Sequence, residues 1–172
     1  MPSPTRCLPP LVLAAALMFA GPAGAQGEAD FAAQFNGEFT GGGAVRTEAS
    51  GNPWNVSCDM TGQASDAALS FNGRCRAALI VSRRVGAEIR IDGNGRYTGT
   101  YIGSTIGPAA LSGRRSGNTV TLEVTWPAPV NGDTSATMTI TATGNGFHFA
   151  VDDLAEPGGP SVRMTDITMN RR

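Results

Sequence analysis

The chain has 172 residues, of which 41% are hydrophobic and 16% charged, and its 13 basic and 14 acidic side chains give a net charge of −1. The length suffices for one domain with a substantial core. The balanced charge argues against a nucleic-acid partner, because phosphate binding needs a basic excess on one face. With 3 cysteines and 1 histidine, the chain also has few ligands for a zinc site, and we expect no metal and no cofactor.

Residues 1–25 have the pattern of a secretory signal peptide. Arg6 gives a positive start, residues 8–20 form an apolar run, and the small residues Ala23-Gly24-Ala25 form a cleavage site. The run is too short to span a membrane, and no second apolar run follows. We therefore expect a periplasmic or secreted protein with no membrane span.

The segment after the predicted cleavage site has two interpretations. Residues 26–34 form either a helical turn or a loose leader. From residue 35 to residue 172 helical periodicity is absent, and short runs rich in threonine, valine and isoleucine alternate with glycine-rich turns. About ten such runs predict an all-β domain. We expect a single antiparallel up-and-down β-barrel or a curved meander, lipocalin-like in architecture.

Alternation is clearest in the second half of the chain. Residues 118–126 place Val120, Leu122, Val124 and Trp126 on one face of a strand that ends at Trp126, with polar residues opposite. Strands with one buried face and one solvent-exposed face are typical of antiparallel sheets. Near the end of the chain, Ile167 is out of step with Val162 and Met164, which predicts a bulge.

The cysteines predict one disulfide. Cys7 leaves with the signal peptide, so Cys58 and Cys75 remain as an even pair in an exported chain. A bond between them would stabilise the fold by about 3 kcal/mol in the chain-entropy model.

The apolar pattern also predicts a register for this pair. If residues 54–62 and 69–81 pair antiparallel, one continuous apolar face forms. That register pairs Cys58 with Cys75, Val56 with Ala77, and Trp54 with Leu79. Asn72-Gly73 is then a bulge within a long strand. In the alternative interpretation Asn72-Gly73 is a hairpin turn, and the cysteines lie on strands that are not neighbours.

Four segments resemble short exported β-rich proteins of alphaproteobacteria. They are the glycine-rich run 35–46, Val56-Ser57-Cys58, the run 69–75 and the run 95–101. The resemblance implies export, a cysteine pair and repeated short strands. This group has no assigned activity, so the resemblance implies no site residue. The Gly-x-Trp motif of lipocalins is replaced here by Gly37-Glu38-Phe39.

His148 and the acidic loop after it are the candidates for catalysis. His148 alternates with Phe147 and Phe149, so it faces solvent if those two residues face the core. No Gly-x-Ser-x-Gly nucleophile motif is present. The alternative function is a small periplasmic hydrolase or isomerase that uses His148 or the carboxylates Asp152, Asp153 and Glu156.

The favoured function is a non-enzymatic binding or interaction module, and its predicted site lies on two loops. Residues 127–133 and 152–160 follow strands that are two connections apart, so an up-and-down barrel brings both loops to one end. This arrangement predicts Trp126 beside Asp152, Asp153 and Glu156. The surface would suit a small molecule or a protein partner. The three carboxylates alone would suit Ca²⁺, although no full calcium-loop pattern is present.

Arginine pairs and one tyrosine pair leave further alternatives open. Arginines occur in close pairs, namely Arg74/Arg76, Arg83-Arg84 and Arg114-Arg115. Arg74 and Arg76 share a strand face, where Arg90 or Arg96 of neighbouring strands would join them in an anion-binding cluster, and the alternative is a solvated charged face. Tyr97 and Tyr101 flank Gly99 on one strand face, where they either pack against a close backbone or border a dent for a flat apolar ligand.

Overall fold

The computed structural model of the protein describes residues 23–78 and 81–172 and contains one helix and ten strands there. The elements are α1 (Ala23–Ala33), β1 (Gly37–Val45), β2 (Trp54–Ser65), β3 (Ala68–Ala77), β4 (Val81–Ile91), β5 (Arg96–Ile102), β6 (Ala109–Ser116), β7 (Thr119–Val130), β8 (Asp133–Ala142), β9 (Gly146–Leu154) and β10 (Ser161–Arg171). The predicted signal peptide lies almost entirely outside the described residues. Within them, no helix has the length and apolar character needed to cross a membrane.

The ten strands form a closed barrel. Each strand pairs antiparallel with the next strand in the chain, and β1 pairs with β10 to close the wall. The prediction of an up-and-down barrel is confirmed, and the sheet is closed rather than an open meander. Closure gives every strand of the sheet a neighbour on both sides, so the sheet has no edge strand.

Period-2 alternation explains which side chains fill the barrel. On β7, Val120, Leu122 and Val124 are fully buried, whereas Thr121 and Glu123 between them face outward. The predicted end of this strand is wrong, because β7 continues beyond Trp126 to Val130. The register of its pairing with β8 shifts between Thr125 and Val130, so the strand continues through an irregularity instead of ending at Trp126.

The predicted pairing of the two cysteine-bearing strands is confirmed. Cys58 lies directly opposite Cys75 with a Cα–Cα distance of 4.1 Å, and the two form a disulfide. Val56 pairs with Ala77 as expected. The third predicted pair involves Leu79, which lies outside the described residues.

Neither interpretation of Asn72-Gly73 is correct in full. Both residues lie inside β3 and pair regularly with Thr61 and Met60 of β2, so they form neither a hairpin turn nor a bulge. The chain turns earlier, between Ser65 and Ala68. By contrast, the bulge expected near the end of the chain is confirmed, since the register of β10 shifts between Arg163 and Thr165.

Helix α1 closes one end of the barrel. Its residues Phe31 and Ala32 are buried, as is Phe35 just after it. The Phe35 ring packs 5.6 Å from the Phe71 ring and 5.8 Å from the Phe147 ring, measured between centroids. Of the two interpretations of this segment, the structure shows the helical one.

Candidate ligand cavity

The two ends of the barrel differ in what covers them. The closed end carries α1 together with the β2–β3, β4–β5, β6–β7 and β8–β9 turns. The open end carries the β1–β2, β3–β4, β5–β6, β7–β8 and β9–β10 connections. No helix among the described residues covers the open end.

An apolar cavity of about 340 Å³ occupies the barrel interior toward the open end. Its floor is formed by Phe71 and Phe147, which rest on Phe35 at the closed end. Most of its wall consists of inward-facing apolar side chains. They include Val45, Val56, Met60, Val85, Ala87, Met138, Ile140, Phe149, Ile167 and Met169. The Cys58–Cys75 disulfide also lines the wall.

The cavity is off-centre because bulky side chains fill the opposite part of the barrel. Trp126 is buried there, and its ring lies 6.3 Å from the Tyr101 ring, measured between centroids. Tyr101 stacks on Phe149 at 6.2 Å. Tyr101 and Phe149 line the cavity, whereas Trp126 lies behind Tyr101. The aromatic group therefore separates the packed part of the interior from the cavity.

Apolar side chains surround the mouth of the cavity. Trp54 and Val81 line it and are 53% and 52% exposed. Ile102 and Ile106 are also exposed and lie at the same end. These four are the exposed large hydrophobic residues of the described chain, so this apolar surface is confined to the open end.

Arg83 lies at the mouth of the cavity, at a position of β4 whose side chain faces the barrel interior. It pairs with Cys75, whose side chain also faces the interior, and it lines the cavity. Its Nη1 lies 3.5 Å from the carbonyl oxygen of Gly103. The Tyr101 hydroxyl lies against the same glycine, where a larger residue would collide with it. Arg83 and Tyr101 thus converge at Gly103.

Burial governs the chemistry of Tyr101. Desolvation raises the pKa of its hydroxyl to about 12, although the nearby Arg83 charge opposes the shift. Like that of an ordinary tyrosine, the hydroxyl is protonated at neutral pH and is able to donate a hydrogen bond. Within residues 23–78 and 81–172, it makes no hydrogen bond and Arg83 forms no ion pair with a carboxylate.

The closed end carries a similar donor pair that is fully used. Arg115 Nε lies 3.0 and 3.1 Å from the two carboxylate oxygens of Glu28 in α1, and the Tyr97 hydroxyl donates to the same carboxylate. Burial acts to raise the pKa of Glu28, but these hydrogen bonds outweigh it and hold the pKa below its usual value. The Arg115 guanidinium also covers the Phe31 ring at 4.8 Å.

Two of the four predicted site residues come together inside the barrel. Trp126 and Asp153 are both buried, and the indole N–H lies close enough to the Asp153 carboxyl to act on its pKa without completing a hydrogen bond. Burial raises the pKa of Asp153, and the nearby Asp133 adds to the shift. The Leu154 N–H donates to Asp153 Oδ1 at 2.8 Å. Neither Trp126 nor Asp153 lines the cavity.

The other two predicted residues do not join them. Asp152 lies on the opposite face of β9, where its Oδ1 accepts a hydrogen bond from Arg163 Nε at 2.6 Å. Glu156 is exposed in the β9–β10 connection. The two loops do share the open end, and Pro157 packs against Gly132. In the part of the chain that the structure describes, no three acidic, cysteine or histidine side chains converge on a metal position.

His148 lies on the outer wall of the barrel. Its Nε2 is 2.9 Å from Asp166 Oδ1 on β10. The hydrogen bond from His148 leads the interactions that hold the pKa of Asp166 below its usual value, and Arg163 adds to them. This polar group faces away from the cavity, because the neighbouring Phe149 points inward.

The arginine pairs divide between the two faces of the barrel wall. Arg74 and Arg76 are exposed on the outside, and Arg76 lies 3.0 Å from Asp59. Arg84 also faces outward, opposite Arg74. In the Arg83-Arg84 pair only Arg83 faces the interior. Arg90 lies opposite Ala68 and Arg96 opposite Arg114, so neither lies beside Arg74 and Arg76 in the predicted anion-binding cluster.

Arg83 and Glu28 are the residues that the sequence alone did not assign to a site. A signal for Arg83 was present, since the alternation of Ile89 and Ile91 extends backwards along β4 and places position 83 on the inward face. Glu28 carried no comparable signal, because its partner Arg115 is 87 residues away along the chain.

Comparisons with known proteins support the fold. No protein-family model matches the chain, and no curated protein is significantly similar to it. Among solved structures, the chain is similar to Rv2717c from M. tuberculosis, with a TM-score of 0.63 and 13% sequence identity. The match covers 81% of this chain and 93% of that chain. At this identity the likeness shows a shared fold and no shared activity.

Proposed function

We propose that this protein is a non-enzymatic binding protein that holds an apolar small molecule inside its barrel. The observation that carries the proposal is the apolar cavity of about 340 Å³ open at one end. Ligand pockets are commonly about 300–1,000 Å³, with mostly apolar walls and a few polar groups. The cavity fits that description, with Arg83 and Tyr101 among its polar groups.

The packing of the barrel also supports a bound molecule. Protein interiors are close-packed, and the wall atoms of a void lose the contacts that neighbours would supply. Here one part of the interior is filled by Trp126 and its neighbours, whereas the part above Phe71 and Phe147 is not. An apolar ligand would restore the missing contacts.

We further propose that the protein acts in the periplasm or outside the cell. The signal-peptide pattern of residues 1–25 supports export, and the Cys58–Cys75 disulfide is compatible with an oxidising compartment. The enzymatic alternative has less support, because His148 pairs with Asp166 on the outer wall and is remote from the cavity.

Two experiments test the binding proposal. Native mass spectrometry of the protein purified from its own host should reveal a co-purifying apolar molecule. In vitro, the neutral fluorophore N-phenyl-1-naphthylamine should bind with an increase in fluorescence.

Two matched variants locate the bound fluorophore. Ala87 lines the cavity, so Ala87→Phe should fill it and abolish binding. Ala110 faces outward on β6, so Ala110→Phe should leave binding unchanged. Equal binding by the protein and by Ala87→Phe would contradict the proposed location.

A further inference from the structure

The mouth of the cavity carries one charged side chain, Arg83, in a wall that is otherwise mostly apolar. Position 83 is on the inward register, and Arg83 is exposed at the top of the cavity. The described residues give it one weak contact, to the Gly103 carbonyl oxygen, and no acidic partner. Asp153, the buried carboxylate at this end, faces Trp126 instead. A charge so placed is available to a ligand whose body occupies the cavity.

A second donor lies beside this cation. The Tyr101 hydroxyl contacts the same glycine that Arg83 reaches, and no described residue accepts its hydrogen bond. A guanidinium and a neutral hydroxyl that converge on one point suit an anion with several oxygens, because charged hydrogen bonds are stronger than neutral ones.

The barrel already holds a carboxylate with this combination of donors. On β5, Tyr97 and Tyr101 are two inward-facing tyrosines separated by Gly99. At the closed end, Tyr97 and Arg115 together bind the carboxylate of Glu28. The closed end therefore shows what an arginine and a tyrosine on this wall bind.

We propose that the ligand is an amphipathic anion, with its apolar chain in the cavity and its acidic head group bound at the mouth by the Arg83 guanidinium and the Tyr101 hydroxyl. The proposal rests on the proposed function and names its ligand class. A carboxylate and a phosphate monoester share the required chemistry, so a free fatty acid and a phosphorylated lipid fragment are both included.

Binding of three probes with the same alkyl chain tests the proposal. The probes are decanoate, decyl phosphate and decan-1-ol, and their dissociation constants are measured at low and high salt with the protein, with Arg83→Gln and with Arg84→Gln. Arg84 is the matched control, because it is the next residue on β4 and is exposed on the outer face. Arg83 is exposed too, so neither variant should impair folding.

We expect decanoate or decyl phosphate to bind about tenfold more tightly than decan-1-ol. Arg83→Gln should remove most of that preference while leaving decan-1-ol affinity unchanged, and Arg84→Gln should change no affinity more than about twofold. The preference should shrink at high salt, since the mouth is open to solvent. The anion that binds more tightly identifies the head group.

Two different failures are distinguishable. If decan-1-ol binds as tightly as both anions, or if Arg83→Gln and Arg84→Gln weaken anion binding equally, the head-group assignment is wrong and the apolar cavity function stands. If none of the three probes binds, the proposed function itself is wrong.

Discussion

At the closed end of the barrel, Arg115 and Tyr97 donate to the carboxylate of Glu28, whereas at the open end Arg83 and Tyr101 have no carboxylate among the described residues. The closed end is sealed by the protein's own helix. The open end is surrounded by exposed apolar side chains and leads into the cavity. Similar wall chemistry therefore contributes to stability at one end and is available for binding at the other.

Alanine substitutions at Phe35 and Trp54 test whether the two ends of the barrel differ in stability. Phe35 is fully buried under the barrel floor, and Phe35→Ala should lower the free energy of unfolding by about 3–5 kcal/mol. Trp54→Ala at the mouth removes a larger but exposed side chain and should cost no more than about 0.5 kcal/mol. Urea unfolding measures both free energies, and equal losses would contradict a difference in stability between the two ends.

The disulfide in the cavity wall should make the next largest contribution to the free energy of unfolding. Replacing Cys58 and Cys75 together by serine should lower the free energy of unfolding by about 3 kcal/mol, because the bond reduces the conformational entropy of the unfolded chain. Circular dichroism should still show dominant strand, since the barrel is closed by backbone pairing. A variant as stable as the parent protein would rule out this role for the bond.

Glu28→Gln removes the carboxylate that binds Arg115 at the closed end, and it is compared below with a substitution of Arg83, which has no carboxylate partner among the described residues. At neutral pH it should cost about 1.5–3 kcal/mol, because charged hydrogen bonds to Arg115 and Tyr97 are lost. The folded pKa of Glu28 lies below its unfolded value, so its contribution is present above about pH 4.3 and is lost as the pH falls through the folded pKa.

Arg83→Gln, at the open end, is the matched control for Glu28→Gln. It should change stability by no more than about 0.5 kcal/mol at any pH. Unfolding curves of both variants from acid to neutral pH provide the measurement. A loss of stability with Arg83→Gln as large as that with Glu28→Gln would mean that Arg83 already has a structural partner.

The smallest expected effect concerns the buried carboxylate of the open end. Burial raises the pKa of Asp153, so its charged form is disfavoured in the fold, and the stability that depends on its protonation is lost as the pH rises through the folded pKa. Asp153→Asn keeps an acceptor for the Leu154 N–H and should stabilise the fold at neutral pH by on the order of 0.5 kcal/mol. The gain should vanish in acid. Thermal unfolding that shows a gain in acid and none at neutral pH would reverse this assignment.

The fold was largely predictable because it follows from local alternation. Val120, Leu122 and Val124 mark one buried face, and the apolar pattern around Cys58 and Cys75 fixes their register. Strand ends were less predictable, since β7 and β9 continue into segments that look like loops. This extension places Asp152 outside the barrel and Asp153 inside.

The candidate site was less predictable because a cavity depends on which inward-facing side chains leave the barrel interior unfilled. Alternation identifies inward positions such as 83 and 101, but it does not tell which inward side chains pack together. Trp126 was predicted both on the apolar face of its strand and in a surface site beside carboxylates, and the structure places it in the interior beside Tyr101, where it limits the cavity to the other part of the barrel. The pairing of Glu28 with Arg115 depends on tertiary contact alone.

The pKa of a bound carboxylate tests whether Arg83 and Tyr101 bind an acidic head group at the mouth. Decanoate labelled with ¹³C at its carboxyl carbon is bound to the protein, and the ¹³C resonance is followed as the pH is lowered. Arg83 and Tyr101 should act on it as Arg115 and Tyr97 act on Glu28, so the bound pKa should lie below that of free decanoate, and Arg83→Gln should raise it. A bound pKa above the free value, unchanged by Arg83→Gln, would contradict the account, because it would place the carboxylate in an apolar environment away from the mouth.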